Sequence, residues 1–185
     1  MNLIDTFQNL VAHVPELVQP LIVALAGAVP FIEGEGAATI GILGGIPPVI
    51  AAIAAIVGNF VCVALLVLLS AKARDAVVNR QRAKVLVDVE GRVVADAADT
   101  GIQVETGDSE RKAARKQKFQ RALTRYGVPG VCLLGPLLLP THFTATMLAA
   151  IGIGRGRILI WQAVAIVGWT TALALLVTGI EHFAV

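Results

Sequence analysis

PFIEGEGAATIGILGGIPPVIAAIAAIVG, running from Pro30 to Gly58, decides the fold. Two carboxylates, Glu33 and Glu35, sit inside an otherwise apolar run, with Gly34 and Gly36 interleaved. Pro30 stands just before them, and the break Gly44-Gly45-Ile46-Pro47-Pro48 follows. An uninterrupted membrane-crossing helix does not tolerate this pattern. A segment that enters a bilayer, turns inside protein and withdraws requires it, because irregular backbone at membrane depth survives only where protein buries it or a wet cavity meets it. Ionisable residues at such depth are costly and tend to be functional.

The rest of the chain agrees with a membrane reading. Of 185 residues 56% are apolar, 15% charged and 5% aromatic, and the mean hydropathy is +0.78. Soluble domains carry roughly 45–50% apolar residues. Two runs are long enough to cross as simple helices, which takes about 20 apolar residues: Pro48–Ser70 and Ile158–Ile180. The other apolar stretches are broken. Leu17–Pro30 leads into the Glu-bearing turn and Gly36–Ile46 leaves it; Val128–Leu139 leads into Pro140-Thr141-His142 and Phe143–Ile153 leaves it. Each piece is too short to cross, and each pair makes a hairpin. Residues 1–16 hold Asp5 and Glu16 but no Lys or Arg, so they lack the basic start of a secretory signal. The spacing of Leu3, Ile4, Phe7, Leu10, Val11 and Val14 predicts an interfacial amphipathic helix instead.

An offset of 110 residues relates the two halves. Pro30 aligns with Pro140, Gly44 with Gly154 and Ile50 with Ile160. Ala55-Ile56-Val57-Gly58 aligns with Ala165-Ile166-Val167-Gly168, and Ala64-Leu65-Leu66-Val67 with Ala174-Leu175-Leu176-Val177. Of the 15 Lys and Arg, 13 lie between Lys72 and Arg125, against eight Asp and Glu in that loop. The positive-inside rule places the loop in the cytoplasm. If the second hairpin re-enters, Arg155 and Arg157 return to the same side, and the two long helices run in opposite directions. Broken helices at corresponding places of two inverted halves point to the binding site of a secondary transporter.

The expected organisation is therefore all-α integral membrane, with two inverted repeats, each a re-entrant helical hairpin plus a transmembrane helix. Residues 1–16 form the interfacial helix. The first repeat spans 17–70 (hairpin 17–46, helix 48–70), and a basic cytoplasmic linker covers 71–125. The second repeat spans 126–180 (hairpin 126–154, helix 158–180), and a tail covers 181–185. Within the linker, Ser109–Gly127 reads as a basic helix on the anionic inner leaflet, Ala71–Asp99 as mixed helix and strand, and Thr100–Asp108 as a mobile connection. Its place between membrane segments argues against nucleic acid as a partner.

Glu33 and Glu35, two residues apart, are suited to share a cavity and to hold and release a proton, since like charges so close do not both ionise cheaply. His142 occupies the matching turn of the second half with Thr141 and Thr144, and histidine titrates in the range proton coupling needs. These five form the expected substrate and proton site. Arg155 and Arg157 are candidates for a lipid headgroup, although snorkelling at the interface is their ordinary role. Asn59 and Gln162 are polar residues inside the long helices, suited to interhelical hydrogen bonds or to lining a cavity. Trp161 fits an aromatic belt, and Trp169 fits packing in mid-span. Cys62 and Cys132 lack the spacing of a metal site or disulfide. No Ser-His-Asp set, metal-ligand spacing or phosphate-cradling loop appears, so neither an enzyme nor a cofactor is expected.

PFIEGEGAA, the Gly-Pro break with its following helix, and RYGVPGVCLLGPLLLPTHFTATMLAAIG before a Gly-Trp-bearing helix resemble the small multidrug export family, itself similar to the DedA (VTT-domain) membrane proteins. The similarity covers most of residues 17–180 outside the linker. Pro30, Glu33, Gly36 and Ala37 match that family's Pro-x-x-Glu-x-Arg-Gly-Ala, with Glu35 in the place of its Arg. The Arg-Phe-x-Pro-x-x-Arg pattern of DedA proteins is missing its arginines around Leu139-Pro140-Thr141-His142. The resemblance implies two facing re-entrant hairpins and transport of a polyprenyl-phosphate lipid carrier across the cytoplasmic membrane, coupled to protons. Export of small cationic amphiphiles is the alternative that two Glu in one pocket favour, and a non-transporting scaffold acting through the basic linker is a third. Membrane lipids, an amphiphilic substrate and protons are the partners implied. A homodimer would complete a cavity that so few helices enclose poorly.

Overall fold

A computed structural model of the chain describes residues 3–87, 109–137 and 139–184. The described residues are helical, without strands. They form α1 (Leu3–His13), α2 (Gln19–Gly27), α3 (Glu33–Leu43), α4 (Pro48–Val87), α5 (Ser109–Leu134), a single 3-10 turn (Gly135–Leu137), α6 (Thr141–Ala150) and α7 (Arg155–Ala184). Two of the helices are long and apolar enough to cross a membrane, over Pro48–Asn79 and Arg155–Ile180.

α4 and α7 lie antiparallel. Ala174 shares a cluster with Ala51 and Ala55 near the start of α4. Ile166 and Ile158 meet Val63 and Val67 further along, and Arg155 at the head of α7 pairs with Asp75. Two short hairpins fill the space beside them. α2 and α3 descend and return at the Pro48 end, where Gly44 packs under Val11 of α1 and Gly41 against Ala51 and Val23. The second half of α5 and α6 do the same at the other end, where Gly152 abuts the Arg74 side chain. α3 packs on α7 as well as α4, and α6 packs on α4 as well as α7. Each hairpin is thus clasped by both long helices.

Local chemistry sets the breaks. Pro20 occupies the first turn of α2 and Pro48 opens α4, where a missing N–H is tolerated. Gly127 has φ 67° and ψ −171°, so the helical path of α5 is interrupted there, with Pro129 just beyond. Pro140, at φ −52° and ψ 141°, is the residue that precedes α6. α1 is not free at a surface: Val11 is fully buried, and Phe7 and Val14 pack on the first hairpin. Ala71–Val87, expected to mix helix and strand, continues α4 as helix. The remainder of that stretch and the connection Thr100–Asp108 lie outside the described residues.

Small residues let the first hairpin come close to α4. A methyl placed on Gly58 would stand 1.9 Å from the carbonyl oxygen of Ala24, and one on Gly27 would stand 2.7 Å from that of Ala55. Such close backbone approach lets the two helices pack without large side chains between them. The aligned Gly168 has nothing within 4 Å of such a methyl. Gly58→Ala is therefore expected to destabilise by at least about 1–3 kcal/mol, because the clash is with backbone that must move. Gly168→Ala is expected to stay within about 0.5 kcal/mol of the parent. Thermal unfolding of the two variants in one detergent checks the contrast.

Candidate functional site

The tips of the two hairpins meet. In the first, the chain leaves α2 through Ala28–Ile32 and enters α3 at Glu33; Val29 O accepts from the N–H groups of Ile32 and Glu33 at 3.2 and 3.1 Å. Phe31 and Glu33 have φ of 74° and 53°, left-handed values that cost a non-glycine residue about 1–3 kcal/mol. In the second, α6 starts after Pro140, which has no side chain to cap it. The first N–H groups of a helix lack partners within it, and here the other hairpin supplies one. The Thr141 N–H donates to Glu33 Oε1 at 2.5 Å, and the Thr141 hydroxyl donates to the same oxygen at 2.9 Å. His142 Nδ1 lies 3.4 Å from it. The positive end of α6 and the carboxylate are thus complementary.

This contact is dry. Glu33 is 5% exposed, His142 3% and Thr141 1%. The amide oxygen of Asn59, itself buried, lies 3.5 Å from the Thr141 hydroxyl. Beside the polar contact the rings of Phe31 and Phe143 meet at 6.2 Å between centroids. Among the described residues the ionisable partner of Glu33 is His142. In the tautomer with its proton on Nδ1, the ring donates to Glu33 and leaves Nε2 as an acceptor.

The structure brings together Glu33, Thr141, His142 and Asn59 and leaves the other expected residues apart. Glu35, two residues on and so round the helix from Glu33, is half-buried, and its backbone carbonyl accepts from the Thr39 hydroxyl at 2.9 Å. Thr144 is buried, but its hydroxyl turns back to Pro140 O at 3.4 Å. Gln162 is fully buried and neither atom of its amide has a partner. Arg155 is paired on the surface with Asp75, and Arg157 is exposed, so neither approaches Glu33.

Sequence reasoning assigned Trp169 to packing alone and passed over Thr170. Trp169 donates its indole N–H to Leu133 O at 2.8 Å, satisfying a carbonyl where α5 gives way to the 3-10 turn. Thr170 is fully buried, its hydroxyl has no partner, and it faces the site from α7: a methyl on Gly34 would lie 2.2 Å from its oxygen. A threonine in an apolar helix, here with Thr171 beside it, carries little signal, since its hydroxyl normally bonds the carbonyl four residues back. That is what Thr178 does, to Ala174 O at 2.8 Å. The unpartnered atoms of Thr170, Gln162 and His142 Nε2 are the features that distinguish this interior from simple packing.

Compared with known proteins, the chain matches no family model, no curated protein and no solved structure.

The buried carboxylate sets a measurable expectation. Glu33→Ala strands the Thr141 N–H and hydroxyl and is expected to cost about 2–4 kcal/mol. Glu33→Gln keeps one acceptor oxygen for the same donors and is expected to cost about half as much. Thr141→Val keeps the backbone bond and is expected to lose about 1 kcal/mol. Unfolding in detergent, comparing the three variants, checks the order.

Proposed function

We propose that this chain is a multi-pass protein of the cytoplasmic membrane that moves an amphiphilic lipid, a polyprenyl-phosphate-like carrier foremost, in a proton-coupled cycle around the Glu33–Thr141–His142 contact. The observation that carries this reading is that contact itself: a carboxylate and an imidazole, from hairpins entering at opposite ends, meet in the dry interior.

Several features support it. The best apolar window of Pro48–Asn79 has a mean hydropathy of 2.8 with only 28% of it buried, whereas the core helix of a soluble protein would be mostly buried. Leu65, Leu69, Ile160 and Leu175 are among the large apolar side chains that face outward and suit lipid. Asn59 comes 11 residues after Pro48, about 17 Å along the helix at 1.5 Å per residue, which is near the middle of a hydrocarbon layer of about 30 Å. The hairpins then read as re-entrant. The offset of 110 also maps the pair Glu33–Thr141 onto Phe143–Phe31, and both pairs are in contact. A pseudo-twofold axis between inverted repeats requires that correspondence. The resemblance to small multidrug export and DedA proteins points the same way, as does the cytoplasmic placement of the basic stretch by the positive-inside rule.

In such a cycle, protonation of Glu33 weakens its hold on the N-terminus of α6, and the hairpins part; loss of the proton draws them together. His142, on the same oxygen, is positioned to pass or take that proton. Apolar hollows on both sides of Val57 and Val61, one against α2 and one against α7, offer room for a hydrocarbon chain at that depth. Arg155 is engaged with Asp75, which leaves Arg157 as the freer candidate for a phosphate at the cytoplasmic end.

A second reading, proton-coupled export of small cationic amphiphiles, is favoured by one observation. The centre holds Glu33 with Glu35 two residues further along α3, and among the described residues no Lys or Arg reaches it. Reconstituted proteoliposomes separate the two. With an imposed pH gradient the parent protein is expected to translocate a polyprenyl phosphate, and Glu33→Gln and His142→Ala are expected to lose the pH-driven component. Gradient-driven flux of a cationic dye with the lipid unmoved would select the second reading, and movement of neither would defeat both.

A further inference from the structure

Each of the four helices that enclose the centre contributes one side-chain oxygen donor to it: Glu33 from α3, Asn59 from α4, Thr141 from α6 and Thr170 from α7. Glu33 Oε1 and Thr141 Oγ1 are 2.9 Å apart, and Thr141 Oγ1 and Asn59 Oδ1 are 3.5 Å apart. The second separation carries little hydrogen-bond energy. It is, however, close to the spacing of neighbouring ligands around a small cation. At oxygen–cation distances of about 2.3–2.6 Å, ligands at right angles stand about 3.3–3.7 Å apart. Thr170 supplies an independent sign of a missing partner. Its oxygen is completely buried and unbonded, and it is aimed at Gly34, where an added methyl would meet it at 2.2 Å and Asn59 Nδ2 at 3.4 Å. A buried hydroxyl left without a partner keeps its full desolvation penalty, so something is expected to meet it.

We propose that Glu33, Asn59, Thr141 and Thr170 form a binding site for a dehydrated monovalent cation, sodium in preference to potassium. One carboxylate balances one positive charge, and a divalent ion would leave a net charge in a dry interior. All four donors are hard oxygens, which suit alkali and alkaline-earth ions and not the softer metals. The Thr141 hydroxyl can donate to Glu33 and still present a lone pair to the ion, as can the Thr170 hydroxyl with its proton turned away. Glycine at position 34 lets the Thr170 hydroxyl come in close beside Glu33, where a methyl would meet it at 2.2 Å. The proposal shares Glu33 with the transport reading but requires no transport, since binding is read on the isolated protein.

The test is thermal unfolding of the purified full chain in detergent, titrated with NaCl up to about 0.3 M against choline chloride at matched ionic strength. Sodium is expected to raise the Tm by roughly 5 °C at a hundredfold excess over its Kd, and potassium by clearly less. Thr170→Val is expected to abolish the sodium response while leaving the Tm in choline equal to or above the parent's, because an unpartnered hydroxyl has gone. Thr170→Ser is expected to keep the response. A Tm that rises equally with sodium, potassium and choline is an ionic-strength effect and overturns the site. A full sodium response in Thr170→Val also overturns it, leaving internal water as the partner of the hydroxyl. Lipid flux without a sodium response would sink this site and spare the transport reading; a sodium response without flux would do the reverse.

Discussion

The carboxylate of Glu33 leaves one hairpin and closes the exposed N-terminus of a helix in the other, and the arrangement of the chain can be understood from what that contact demands. α6 begins behind a proline that cannot cap it, so its first N–H needs an acceptor from elsewhere. Glu33 is that acceptor. To reach it, the chain accepts left-handed φ values at Phe31 and Glu33, conformations that persist only where the surroundings over-determine them. A buried carboxylate in turn must be held by several donors, and the Thr141 N–H, the Thr141 hydroxyl and His142 converge on one of its oxygens.

Holding two hairpin tips at hydrogen-bonding distance requires the rest of the interior to be thin. The backbone of α2 rests on Gly58 and Ala55 of α4, and that of α3 rests on Ala51 through Gly41. Larger side chains at those points would lift the first hairpin away and open the Glu33 contact. Other bulky apolar residues of α4 and α7, Leu65, Leu69, Ile160 and Leu175 among them, are turned outward. The surface ion pair of Arg155 with Asp75 ties the two long helices at one end. Being exposed, it contributes little to stability, and its effect is on register.

Much of this was written in punctuation. Pro30, the Gly44–Pro48 break and Pro140 mark where the chain must turn, and the offset of 110 aligns Pro30 with Pro140, which sets the Glu33 turn against the His142 turn. What hydropathy did not record is which face of a uniformly apolar helix points inward. Thr170 lies 12 residues into the apolar run that begins at Ile158, aligned with Phe60, and nothing in its neighbours sets it apart. Thr144 was grouped with Thr141 by proximity in sequence, yet three residues of helix turn its hydroxyl back toward Pro140. Arg155 invited a headgroup role because its partner, Asp75, lies 80 residues earlier. The continuation of α4 to Val87 was hidden by charge: beyond Ser70 the side chains become polar while the backbone remains helical.

The offset that relates the halves also explains why the centre is asymmetric. Residue for residue it sets Glu33 opposite Phe143, Ile32 opposite His142 and Phe31 opposite Thr141. An identical pair of halves would carry a glutamate at both tips, and the two would crowd one small volume with like charge that a dry interior cannot screen. It would equally lack the threonine that bonds the carboxylate. The sequence has instead split the roles. One crossing of the tips is the polar contact of Glu33 with Thr141 and His142, and the corresponding crossing is the packing of Phe31 on Phe143. The aromatic pair packs beside the single negative charge of Glu33 and helps to hold the tips in register. The difference between the two tips at these three aligned positions is therefore what leaves one carboxylate, with its donors, at the centre.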